Sequence, residues 1–213
     1  GHIAGTAVLN ADDPYVLAMR AVAPGHVLTY GLDPSADLWA AEIESQGLAG
    51  VQFTLHTGQE SLRMRLPLLG AHSVHTALRA AAVAVALGMN WRDILDGLQT
   101  LDQQQLRLIV VPGVNGTTII DDSYNANPDS MRAALNLLLE MPQPRVAVLG
   151  DMLELGIYED EGHIKVARRA VEVADRLVVV GPLGRTMGEE ALRCGRPPEQ
   201  VFFASGNPQA IDY

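Results

Sequence analysis

The hydrophobic and polar positions of this chain change period along its length, and each change predicts a different architecture. Residues 5–9 form a short apolar run that ends in the polar turn Asn10-Ala11-Asp12-Asp13-Pro14. A helix is expected over residues 14–20, because proline is tolerated in a first helical turn, and residues 26–30 read as the next strand. Between residues 36 and 66 the period falls to two: residues 40–44, 51–56 and 61–66 alternate, divided by Gly47, Gly50 and the Thr57-Gly58-Gln59 turn. Such alternation predicts an antiparallel ribbon with one buried face. Residues 73–88, rich in alanine and leucine, predict a helix closed by Gly88 with Asn90 just beyond, and a second helix is expected over residues 91–98.

The polar break Gln103-Gln104-Gln105 divides the chain into expected domains of residues 1–102 and 103–213. In the second, strands over residues 106–111, 117–120, 145–149, 177–180 and 200–203 are interleaved with helices over 129–140, 162–174 and 184–194. This repeated alternation implies an α/β fold with a mostly parallel sheet and right-handed crossovers, Rossmann-like in topology. The G-x-G-x-x-G fingerprint is missing from the sequence, so nicotinamide binding would rest on fold analogy alone and is rejected.

Composition narrows the function classes. The 213 residues suffice for one large or two modest cores, and 48% hydrophobic against 19% charged residues predicts a packed interior. A net charge of -10 argues against a nucleic-acid surface, although backbone amides and a few arginines still permit local nucleotide binding. The lone Cys194 allows no internal disulfide, which fits a reducing cytoplasm, and nothing around it activates a thiol. Residues 77–87, the longest apolar stretch, are interrupted by Arg79 and too short to span a bilayer. A cytoplasmic location is therefore expected.

The candidate chemistry concentrates in Asp121-Asp122-Ser123-Tyr124-Asn125-Ala126-Asn127-Pro128, which sets acids, amides and a phenol between a strand and a helix start. Ligands of α/β proteins sit at such junctions, and a polar loop that caps its own helix is the alternative. Read as a whole, DDSYNANPDSM resembles a signature of the peptidoglycan Mur ligases, within them the members that add D-alanyl-D-alanine to UDP-MurNAc-tripeptide. VAVLGDMLELG at residues 146–156 resembles the C-terminal domain of those ligases, and the Asn10-Ala11-Asp12-Asp13-Pro14 turn resembles the late part of their central ATPase domain. The resemblance implies the end of that ATPase domain followed by an incomplete Rossmann-like ligase domain, with both ends of the chain cut. No G-x-x-G-K-[ST] phosphate loop occurs in the sequence, and Gly181-Pro182-Leu183-Gly184-Arg185 lacks its lysine and hydroxyl. Catalysis by this chain alone is not expected.

Residue roles follow from the resemblance. His72, Ser73 and Thr76 stand where these ligases carry a His-Asn-x-x-Asn segment against adenine, with hydroxyls here in place of the amides. For Ser73 the alternative is a helix N-cap, and for His72 a helix-start histidine without ligand contact. Arg107 matches the arginine that meets nucleotide phosphates, or is an exposed strand arginine; Asp122 matches an acid near the ribose or its metal. Tyr124, Asn125 and Asn127 would shape the same nucleotide junction, with Asp121 orienting the loop. Asp151, Glu154 and His163, with Arg185 a weaker candidate, would lie near D-alanyl-D-alanine, whose amine needs an anionic place and whose carboxylate needs a cation. A strand-end cap is the alternative for Asp151. The pair His72 and His75 lacks a third convergent ligand, so no protein-held metal site is expected.

The complete enzyme would use ATP and magnesium to convert the tripeptide carboxylate into an acyl phosphate that the dipeptide amine attacks. A related amide ligase with another acceptor and a noncatalytic ligand-binding module are the two further readings. Nothing in the sequence fixes the oligomeric state.

Overall fold

The computed structural model describes residues 5–58, 60–100 and 108–213. The chain divides into two compact units, residues 1–105 and 106–213.

In the first unit, β1 (Thr6–Asn10), β2 (His26–Gly31), β3 (Leu38–Ser45), β4 (Val51–Thr57) and β5 (Glu60–Leu66) form one sheet in that order. The pairs β1–β2 and β2–β3 are parallel, while β3–β4 and β4–β5 are antiparallel. The expected ribbon is present, but it is continuous with the parallel strands because Leu38 and Trp39 of β3 pair with Tyr30 and Gly31 of β2. Between β1 and β2 lies the short helix α1 (Pro14–Ala18), whose N-cap Asp13 accepts from the N–H groups of Tyr15 and Val16.

Helix α2 (Ser73–Ala86) buries Val74, Ala77, Leu78, Ala81 and Ala82, a spacing that puts all five on one face. It lies against β1, β2, β3 and β4. The sheet contributes Val51, Phe53, Leu55, Met64 and Leu66 to the core, each no more than 2% exposed. Helix α3 (Trp91–Gln99) starts at Asn90, whose Oδ1 accepts from Asp93 N at 3.0 Å, and closes the unit with Ile94 and Leu98.

The second unit opens with a hairpin, β6 (Ile109–Pro112) and β7 (Thr118–Asp121), paired antiparallel in a sheet of their own. The sequence reading assigned these strands to a mostly parallel sheet. Gly113–Thr117 is too short for a parallel crossover, which needs a dozen or more residues, so the chain reverses instead. Then follow α4 (Pro128–Leu139), β8 (Val146–Leu149), α5 (Glu159–Val173), β9 (Arg176–Val180), α6 (Gly184–Arg193), β10 (Val201–Ala204) and α7 (Asn207–Ile211). Strands β10, β9 and β8 form a parallel sheet in that order.

Leu149, Met152, Val166, Ala167, Ala170, Leu177, Val179, Met187 and Ala191 pack into the core of this unit. A carboxylate is buried at its edge: Glu190 on α6 meets Arg168 Nε of α5 at 2.8 Å and Arg193 at 2.7 Å. Its hydrogen bond from Arg168 outweighs the effect of burial and holds it below the ordinary carboxyl value. Among the described residues no helix is long and apolar enough to cross a membrane.

Candidate functional site

In the first unit the polar turn after β1 is tied to two other elements through one side chain. Asp12 Oδ2 accepts from Leu32 N at the end of β2 at 2.8 Å and lies 3.5 Å from His75 Nε2 on α2. Asn10 Oδ1 accepts from Asp12 N at 3.1 Å and steadies the turn. The carboxyl ends of two parallel strands and the start of α2 are therefore fastened together, at the edge where α/β sheets bind ligands.

His72 and Thr76 are exposed at that helix start, whereas Ser73 is buried. The reading of Ser73 as an N-cap is corrected by the fold: His72 occupies the cap position, and the Ser73 hydroxyl donates back to the Gly70 carbonyl at 2.7 Å. The N–H groups of Ser73, Val74 and His75 turn to the carbonyls of Gly70, Ala71 and His72. These first-turn donors are thus used locally.

In the second unit the loop after β7 makes its own framework. Asp121 Oδ1 accepts from Ser123 N at 2.9 Å. The Ser123 hydroxyl, and after it this N–H, hold the Asp121 carboxyl below its ordinary value. Asn127 caps α4, accepting from Asp129 N and Ser130 N, while Ser130 Oγ accepts from Asn127 N to complete a capping box. Asn125 Oδ1 accepts from Ala126 N at 2.9 Å. Asp122 is half-buried and Tyr124 is 86% exposed. Arg107 lies outside the described residues.

A second loop leaves the carboxyl end of β8. Asp151 Oδ1 accepts from Gly184 N at 2.6 Å, so its carboxylate caps the amino end of α6 and links the ends of β8 and β9. Met152 turns its side chain fully into the core. Its N–H donates to His163 Nε2 at 3.1 Å, and His163 Nδ1 lies 2.7 Å from the Glu159 carbonyl. Glu154 then takes φ +63, a left-handed conformation uncommon for a residue with a side chain, and is exposed. Arg185, in the first turn of α6, is exposed, with its guanidinium 5.5 Å from the centre of the Phe203 ring and 3.7 Å from Glu189.

The two loops meet at Gly162. A Cβ there would lie 2.9 Å from both Pro128 Cγ, at the start of α4, and Leu155 Cδ1, in the loop after β8. Glycine at this helical position lets the segments approach.

Two family models match the chain: the Mur ligase middle domain over residues 2–84, and the Mur ligase, glutamate ligase domain over residues 106–213. The chain belongs to the Mur ligase family. Among Mur ligases it is 40% identical, over 185 residues, to UDP-N-acetylmuramoyl-tripeptide--D-alanyl-D-alanine ligase of Mycobacterium tuberculosis strain H37Rv, covering 83% of this chain and 36% of that relative. The Escherichia coli K12 ligase of the same name is 37% identical, covering 83% of this chain and 40% of its own length. A crystal structure of MurF from Acinetobacter baumannii superposes with a TM-score of 0.81 at 33% identity, covering 94% of this chain and 42% of that one. The chain thus spans about two fifths of the length of the Mur ligases it matches.

Within this Mur ligase chain Asp151 and Glu154 lie in the loop after β8, which is tied to α6 through Gly184 N and to α5 through His163, and Arg185 follows Gly184 in the first turn of α6. Asp122, Tyr124, Asn125 and Asn127 gather in the neighbouring loop, and His72, Ser73 and Thr76 belong to the first unit. His163 sits beneath its loop, 1% exposed, with both ring nitrogens directed at backbone atoms. Sequence reasoning did not single out Met152 or Gly162, and weighed Gly181 only within a glycine run that lacks the lysine and hydroxyl of a phosphate loop. The signals were an apolar residue inside a polar run and a glycine following Glu159-Asp160-Glu161 at a helix start.

Proposed function

We propose that this chain is part of an ATP-dependent ligase that joins D-alanyl-D-alanine to UDP-MurNAc-tripeptide in the cytoplasm, as a step of peptidoglycan synthesis. The supporting observation is the 40% identity to a ligase of that name across both units. In this reading His72 and Thr76 of the first unit, and Arg107, Asp122, Tyr124, Asn125 and Asn127 of the second, serve the nucleotide. Ser73 contributes through the shape of the helix start, since its hydroxyl is directed to Gly70. Arg107 and Asp122 are the residues proposed nearest the phosphoryl chemistry, for which magnesium would accompany ATP.

The acceptor dipeptide carries an ammonium and a carboxylate, and the second unit offers matching charges. Glu154 receives the ammonium end and Arg185 the carboxylate, while Asp151 secures the loop that holds Glu154. ATP supplies the phosphoryl group that turns the tripeptide carboxylate into an acyl phosphate. The dipeptide amine, after losing a proton, attacks that carbonyl; the C–O bond to phosphate breaks and the amide forms. The chain's own residues hold and orient the amine, which converts a bimolecular encounter into a positioned one.

The test is acceptor choice by the complete gene product carrying these 213 residues. Phosphate release with Mg-ATP and UDP-MurNAc-tripeptide is expected with D-alanyl-D-alanine, and not with D-alanine, L-alanine or D-glutamate alone. Preference for a single amino acid would favour the related-ligase reading, and silence with every acceptor would favour the noncatalytic one.

A further inference from the structure

The loop after β8 carries an exposed acid in a left-handed conformation, and such a conformation persists only where its surroundings over-determine it. Three contacts do so here. Asp151 is tied to Gly184 N at 2.6 Å, the Met152 side chain is fully buried, and the Met152 N–H is held by His163 Nε2 at 3.1 Å. Of these anchors, the histidine alone reaches the loop from the helix beneath it. His163 is itself fixed, 1% exposed, with Nδ1 lying 2.7 Å from the carbonyl of Glu159 one turn earlier on α5.

The two contacts determine the ring's chemical form. A carbonyl only accepts, so Nδ1 carries the proton; Nε2 must then be the lone-pair acceptor that the Met152 N–H requires. This is a neutral imidazole used as a bridge between two backbone groups. It has no surface for a ligand, yet it sets the residue two positions before Glu154.

We infer that His163 is a positioning residue for the acceptor: it acts through the Met152 amide to hold the loop that presents Glu154 to the dipeptide ammonium. The inference rests on the proposed function for its substrate, but its structural half stands apart from that reading. A glutamine at position 163 keeps a carbonyl acceptor near the place of Nε2, whereas a leucine fills comparable space and accepts nothing.

The experiment compares wild type, His163→Gln and His163→Leu in the complete gene product. Hydrogen exchange at the Met152 amide and the histidine nitrogen shifts are read by NMR, and KM for D-alanyl-D-alanine and for ATP by steady-state kinetics. The expected results are an Nδ1-protonated neutral ring and a slowly exchanging Met152 amide in wild type. The leucine variant should lose that protection and raise the dipeptide KM about tenfold, the scale of one lost hydrogen bond, with the ATP KM unchanged. The glutamine variant should recover most of both.

A ring protonated on Nε2 would overturn the inference, as would a Met152 amide that exchanges equally in wild type and His163→Leu, or equal loss of kcat with no change in the dipeptide KM. Wild-type protein that shows the expected tautomer and protected amide, but makes no dipeptide product, would instead remove the proposed function and with it the acceptor half of the inference.

Discussion

Substituting Met152 with alanine is expected to lower the stability of the second unit by about 2–5 kcal/mol, the range for truncating a fully buried methionine. The side chain has no exposed surface and packs in the cluster that contains Leu149, Val166 and Met187. It is the point at which the loop after β8 is driven into the core, so the cavity would open directly under Asp151 and Glu154. Urea denaturation followed by circular dichroism gives the loss. Faster amide exchange in residues 150–156 and 159–173 than in the first unit gives its location. Met152→Leu keeps the volume and should cost less than about 1.5 kcal/mol. Equal behaviour of the two variants would mean that filling the core is not what anchors this loop.

Gly181→Val is expected to be comparably severe, for a different reason. Gly181 has φ +93, a conformation open to glycine and strained for a β-branched residue. A Cβ at this position would lie 2.5 Å and 2.6 Å from the two carboxylate oxygens of Asp151. The substitution therefore strains the backbone and displaces the carboxylate that caps α6. Strain of about 1–3 kcal/mol and loss of a charged hydrogen bond worth about 1.5–3 kcal/mol together predict a loss of about 2.5–6 kcal/mol. Because one of these costs passes through Asp151, the effects of Gly181→Val and Asp151→Ala should be less than additive in the double variant. Strict additivity in denaturation experiments would contradict the proposed contact.

The sequence made most elements legible because their signals are local. Alternation marked β4 and β5, the alanine-rich run marked α2, and the polar run ending at Pro128 marked the start of α4, where the structure adds a full capping box on Asn127. Pairing was less legible, since it depends on distant partners. The two residues that join β3 to β2, and the reversal of β6 onto β7, are settled by chain length and edge pairing that periodicity does not encode.

The candidate site divides along the same line. Asp121 reads from sequence as a loop-orienting acid, and its bond from Ser123 two residues on is a local feature. His163 does not read as a bridge to Met152, because the helix must form before its ring lies under the loop. Glycines such as Gly162 and Gly181 carry no chemistry of their own. Their importance lies in the Pro128, Leu155 and Asp151 atoms that approach them.

The most direct test of the acceptor assignment is steady-state kinetics of Glu154→Gln and Arg185→Gln in the complete gene product, with D-alanyl-D-alanine and ATP varied separately. Removing either charge is expected to raise the dipeptide KM about 10–30-fold, as for a lost charge-assisted hydrogen bond, and to leave the ATP KM unchanged. An unchanged dipeptide KM in both variants, or a rise confined to ATP, would contradict the assignment of the β8 and β9 ends to the acceptor.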